Sequence, residues 1–120
     1  MLAAVLRDFE QLVLDDVAVI GVGGIGLLCL MVARAAGAGG LLAIDPSPLA
    51  RRNALQIGAT HALDPAGDDV KRQVYEILPG GPDLVVEAAG PVAAVKLMVD
   101  LRRRGTKWNV FGNCSSTICT

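Results

Sequence analysis

At 120 residues, 52% of them hydrophobic, the chain has the length for one domain with a single core. Eleven basic residues against 12 acidic ones leave a net charge of −1, and there are few aromatics (one Trp, one Tyr, two Phe) and no basic patch, so nucleic acid and membrane surfaces are poor partners. Three cysteines without a framework point to a reducing, cytoplasmic setting.

Residues 1–14 read as a small hairpin, with an apolar arm over 2–6, a turn at Arg7-Asp8-Phe9-Glu10 and a return over 11–14. The start is too short for a signal peptide and lacks its basic segment. Asp15-Asp16 leads into an uncharged run from Val17 to Ala33. Glycines at 21, 23, 24 and 26 break that run, so it reads as a strand over 17–20 and a buried helix over 25–36, not as a membrane span of about 18 apolar residues. Gly37, Gly39 and Gly40 lead into a second strand over 41–44. In the turn Asp45-Pro46-Ser47-Pro48, Ser47 can cap a helix over 49–57, with Pro48 at its first position. A short third strand lies near His61-Ala62-Leu63. Asp68 can cap an amphipathic helix over 70–78, in which Val70, Val74, Ile77 and Leu78 share a face. Pro79-Gly80-Gly81-Pro82 breaks the chain before a fourth strand over 83–87. The next helix, 92–102, has Val92, Val95, Met98 and Val99 inward, with Arg102, Arg103 and Arg104 where cations suit the helix dipole. A fifth strand covers 107–111, with Trp108 packed under the sheet edge; residues 113–120 carry no assignment.

The stretch Val17-Ala18-Val19-Ile20-Gly21-Val22-Gly23-Gly24-Ile25-Gly26 places glycines at G-x-G-x-x-G spacing between a strand and a helix. Gly21 permits the sharp turn, Gly23 lets the backbone approach a pyrophosphate, and Gly26 lets the helix lie close to the sheet. Gly24 and Ile25 open a helix whose free N–H groups would face the phosphates. Asp45 ends the second strand about 20 residues on, where an acid can accept the adenosine ribose hydroxyls. Together these residues point to a dinucleotide site; the plain alternative is a glycine-rich turn that binds nothing, and a methyltransferase is a third reading. Alternation of strands and helices predicts an α/β fold, a Rossmann-like doubly wound parallel sheet in the order 3-2-1-4-5 with a short N-terminal hairpin. Ligand would lie over the C-terminal strand ends, between strands one and four, with Gly21, Ala89 and Gly90 beside it and Gly112 nearby.

The pieces VAVIGVGGIGLL, ARAAGA, IDPSP, IGATHALDP, DLVVEAAG and GTKWNVFG, in this order across residues 16–112, resemble the cofactor domain of medium-chain dehydrogenase/reductases, the zinc-type alcohol and polyol dehydrogenases. The resemblance implies an NAD-binding domain, NADP being disfavoured because the Asp45 carboxylate would repel a 2′-phosphate. In the family, hydride passes between a secondary alcohol and the nicotinamide ring. Ala89-Gly90 and Phe111-Gly112-Asn113 match the family's nicotinamide-side loops, and Glu87 its structural acid. Arg51 can stack on adenine or touch the ribose, as a basic residue near this place does in relatives. Equally, Arg51 and Arg52 can favour NADP or form a solvated helix face, and Ala50 stands where many relatives carry the basic residue.

MLAAVLRDFEQLVLDDV resembles the hairpin that opens the family's catalytic domain, yet Asp16 runs straight into Val17. The family's sixth strand is not seen after Gly112. The chain thus resembles an internally deleted, C-terminally truncated dehydrogenase: hairpin over 1–15, Rossmann domain over 16–112, tail over 113–120. The family's zinc ligands belong to the domain not seen here. Cys114 and Cys119 lack a second pair, His61 is the one histidine, and Cys29 reads as core, so the expectation is no zinc site and little catalysis. The alternative is an interaction module that forms a homo-oligomer or associates through an exposed apolar surface.

Overall fold

Residues Val17–Ile20 form β1 with every side chain buried, and that is why the sequence VAVI carries no polar position. A strand covered on both faces reads as a continuous apolar run. The structure, a computed structural model, describes residues 16–66, 69–102 and 105–110. The expected hairpin, the Asp68 cap, Gly112 and the tail with Cys114 and Cys119 lie outside the described residues.

Four helices and four further strands follow β1: α1 Gly24–Ala35, β2 Leu41–Ile44, α2 Pro48–Gln56, β3 His61–Leu63, α3 Val70–Ile77, β4 Leu84–Glu87, α4 Val92–Leu101 and β5 Lys107–Val110. The strands make one parallel sheet in the order β3-β2-β1-β4-β5, as the alternation predicts. β1 is its centre: Val17 lies between Leu41 and Leu84, and Ile20 between Ile44 and Glu87.

Successive side chains of a strand point to opposite faces. Val17 and Val19 therefore join Leu41, Leu84 and Val86 on one face, where Cys29, Leu30 and Ala33 of α1 and Ala54 of α2 close the core. Ala18 and Ile20 join Leu42, Ile44 and Val85 on the other, under Val74 of α3 and Val95, Met98 and Leu101 of α4. The expected face of α3 holds: Val74 and Leu78 are buried, with Val70 and Ile77 packed against the same cluster.

Three expectations about packing are corrected. The helix α1, which reads as buried, buries only one side, through Gly26, Cys29, Leu30 and Ala33, and leaves Ile25, Leu28 and Met31 exposed. In α4 the inward stripe is Val95, Met98 and Leu101, while Val92 is 61% and Val99 44% exposed. The buried stripe follows i, i+3, i+6 spacing through Val95, Met98 and Leu101, and at about 100° per residue Val92 and Val99 fall well round the helix from Met98. Trp108 is exposed on edge strand β5, not packed under it; the Arg102 guanidinium lies 5.2 Å from its ring centroid. A cation over an indole face is a favourable contact at an exposed position.

Candidate functional site

The turn after β1 is built by two close approaches. Gly21 has φ +87°, and a Cβ there would lie 2.6 Å from the Ala89 backbone nitrogen. Its N–H donates to the Ile44 carbonyl at 2.8 Å, so the turn is tied to β2 and pressed against the loop after β4. A Cβ on Gly26 would overlap the Gly21 carbonyl oxygen and stand 3.4 Å from Val19 Cγ1. Only glycine lets α1 start this close to β1.

Gly23 and Gly24 differ. Both are exposed, and a Cβ on either would meet nothing within 4 Å. Protein packing does not require glycine there; the space above them is open. The first N–H with a helical partner is that of Leu27, which donates to the Gly23 carbonyl at 2.9 Å. The N–H groups of Gly24, Ile25 and Gly26 precede it, at the positive end of the helix dipole. The turn therefore offers backbone donors facing open space, the arrangement that accommodates a phosphate.

Asp45 follows β2 and is half-buried. Its Oδ2 accepts from the Val22 N–H at 2.9 Å and its Oδ1 from the Ser47 N–H at 2.8 Å. The carboxylate thus braces the glycine turn and the start of α2, and each oxygen keeps a further lone pair. Capping of α2 falls to Ser47, whose Oγ accepts from the Ala50 N–H at 3.2 Å, with Pro48 at the first helical position. Arg51 is part-buried: its Nη1 donates to the Asp45 carbonyl at 2.8 Å and lies 3.7 Å from Asp64 Oδ2. Arg52 is exposed, on a solvated face.

Glu87 ends β4 fully buried. Its Oε1 accepts from the N–H groups of Ala89 and Gly90 at 2.8 and 2.6 Å, while Oε2 is buried without a hydrogen-bond partner. The acid pins the loop that presses on Gly21. It brings Ala89 and Gly90 to the same rim as Gly21 and Asp45, where the sequence places them.

A cleft of about 260 Å³ opens between that rim and α4. Ile20, Gly21, Ile44 and Ala89 form its floor; Pro46, Pro65, Val70, Pro91, Ala94 and Leu97 help to form its walls. Sequence reading missed this cleft. Its one signal was a proline within four residues of the end of each of β2, β3 and β4, at positions 46, 65 and 91.

Other candidates stay apart. Cys29 is buried in α1, where burial pushes its thiol above the ordinary value. His61 is exposed, its Nδ1 3.1 Å from Thr60 Oγ1. Among the described residues, no three His, Cys, Asp or Glu side chains converge where a metal ion could sit, and no helix is long and apolar enough to cross a membrane. The described residues therefore do not fit a zinc centre.

Comparison with known proteins agrees with this fold. Residues 24–119 match the family model described as zinc-binding dehydrogenase. The chain is 37% identical over 93 residues to an S-(hydroxymethyl)glutathione dehydrogenase of Synechocystis, covering 76% of this chain and 25% of that protein. It is 34% identical over 104 residues to an L-threonine 3-dehydrogenase of Bacillus licheniformis, covering 86% and 30%. A crystal structure from Sinorhizobium meliloti 1021, classed as a zinc-binding dehydrogenase and bound to NADP, superposes with a TM-score of 0.84 at 32% identity, over 97% of this chain and 36% of that one. The chain spans about a quarter to a third of the length of the curated relatives it matches.

Proposed function

The chain belongs to the zinc-binding dehydrogenase family, and on that footing we propose that its sheet rim holds a nicotinamide dinucleotide, NAD in preference to NADP. The open space over Gly23 and Gly24 supports this reading most directly, because packing leaves it free at the start of a helix whose first N–H groups lack a helical partner. The pyrophosphate would lie on these donors. The ribose hydroxyls would bond the remaining lone pairs of Asp45, with Arg51 at the edge of that site. The apolar cleft beside Asp45 suits the faces of an adenine ring, and its three prolines give stiff walls. Ala89 and Gly90 would line the path toward the nicotinamide, with Gly112 as a further sequence candidate.

A nicotinamide dinucleotide supplies a hydride acceptor, and the parent reaction we infer is oxidation of a secondary alcohol or polyol. This chain's part is binding and orientation. Its described residues hold no zinc ligand set, and the behaviour expected of the chain on its own is NAD uptake with little alcohol oxidation.

Calorimetric titration of the full chain with NAD and NADP, beside an Asp45→Ala variant, tests the proposal. NAD uptake that weakens at least about tenfold in the variant is expected, the size of a lost charge-assisted bond. Uptake of neither dinucleotide would overturn it. One observation favours a second reading, self-association of the chain: Ile25, Leu28 and Met31 are 38, 42 and 53% exposed along one side of α1.

A further inference from the structure

We propose that Asp64 is a specificity-determining residue for the dinucleotide site, acting through Arg51 to disfavour a 2′-phosphate. The inference rests on the dinucleotide reading above and adds to it a residue outside the glycine turn. Arg51 is the part-buried cation at the proposed ribose rim, its Nη1 bonded to the Asp45 carbonyl at 2.8 Å. The Asp45 carboxylate faces away from that guanidinium, toward the Val22 and Ser47 N–H groups. The acid that meets Arg51 is Asp64, with Oδ2 at 3.7 Å from Nη1.

Asp64 is placed by the sheet. The Asp45 N–H donates to the Leu63 carbonyl at 3.0 Å, which fixes the end of β3 against the end of β2, and Asp64 is the next residue. Its Oδ1 accepts from the Ala66 N–H at 2.9 Å, which aims the other oxygen at Arg51. Exposed pairs of this length add little to stability. Their effect on a competing anion is different. A 2′-phosphate would seek the Arg51 guanidinium, the fork best matched to phosphate oxygens. The Asp64 carboxylate already faces that cation, and the Asp45 backbone carbonyl accepts from its Nη1. With Asp64 neutral, Arg51 is released to an incoming phosphate, while the 2′-hydroxyl of NAD carries no charge to respond.

The test is titration of the full 120-residue chain with NAD and with NADP, at low and at high salt. Three proteins are compared: the unsubstituted chain, Asp64→Asn, and Asp64→Asn combined with Arg51→Gln. The ratio of NADP affinity to NAD affinity is expected to rise about threefold to tenfold in Asp64→Asn, and less at high salt. That gain should vanish in the double variant. Each ratio is taken on one protein, so a shared loss of folded fraction cancels. An unchanged ratio in Asp64→Asn, or a rise that persists without Arg51, would overturn the inference alone. Uptake of neither dinucleotide by the unsubstituted chain would overturn the dinucleotide reading and this inference with it.

Discussion

Gly21 and Gly23 answer to different forces, although both belong to one motif. Gly21 is required by the protein itself: φ is +87° and the Ala89 backbone leaves no room for a Cβ. Gly21→Ala should therefore cost about 2 kcal/mol or more in urea unfolding, from the strained dihedral and the collision together. Gly23→Ala meets open space and should leave stability within about 0.5 kcal/mol, yet weaken dinucleotide uptake in calorimetry. Equal effects of the two substitutions on stability would contradict this division. Cys29 gives a pH prediction. Its thiol is pushed up by burial from an ordinary 9.0, so the unfolded chain loses this proton at a lower pH than the folded one. The unfolded state then binds fewer protons above pH 9, and stability falls as pH rises through that range. Denaturation at pH 8 and pH 10 should show a smaller alkaline loss in Cys29→Ala than in the unsubstituted chain, on top of a uniform cost for the lost sulfur.

At the scale of elements, α2 and α4 show how far local chemistry reaches. The start of α2 is local: Ser47 bonds a backbone N–H three residues on, and Pro48 follows it. Any chain with this tetrapeptide has the same advantage, so the cap was legible in the sequence. Ser47→Ala should lower the melting free energy by about 1 kcal/mol. The inward face of α4 is not local. Val92, Val95, Met98 and Val99 keep a helical spacing as good as that of Val95, Met98 and Leu101; only the rotation of the helix against the sheet separates them. Leu101→Ala should cost about 2–5 kcal/mol, and Val92→Ser less than about 1 kcal/mol, in the same unfolding experiment. Trp108 fails for the same reason: an aromatic in a strand reads as buried, but β5 is paired with β4 alone among the described strands and leaves the ring to Arg102.

For the whole molecule, the exposed stripe of Ile25, Leu28 and Met31 is the feature a free chain has least reason to keep. Met31→Lys should leave the melting temperature nearly unchanged and reduce self-association in sedimentation velocity, if that surface joins copies of the chain. The sheet order was legible because β1 and β2 are apolar at every position and β4 at all but its last, Glu87, and only a strand covered on both faces tolerates that. Short crossovers through helices then leave few topologies. The glycine turn and Asp45 were legible too, since their spacing in the chain is itself the geometric constraint. Other features depended on long-range contact: Glu87 pinning the Ala89–Gly90 loop, the cleft walled by Pro46, Pro65 and Pro91, and Asp64 facing Arg51. Sequence periodicity records which face of an element is apolar, and so it determined the strands, the helices and the glycine turn. It does not record which residues of separate elements meet across the rim of a sheet, because that depends on strand register and helix placement, and only the tertiary structure decided those.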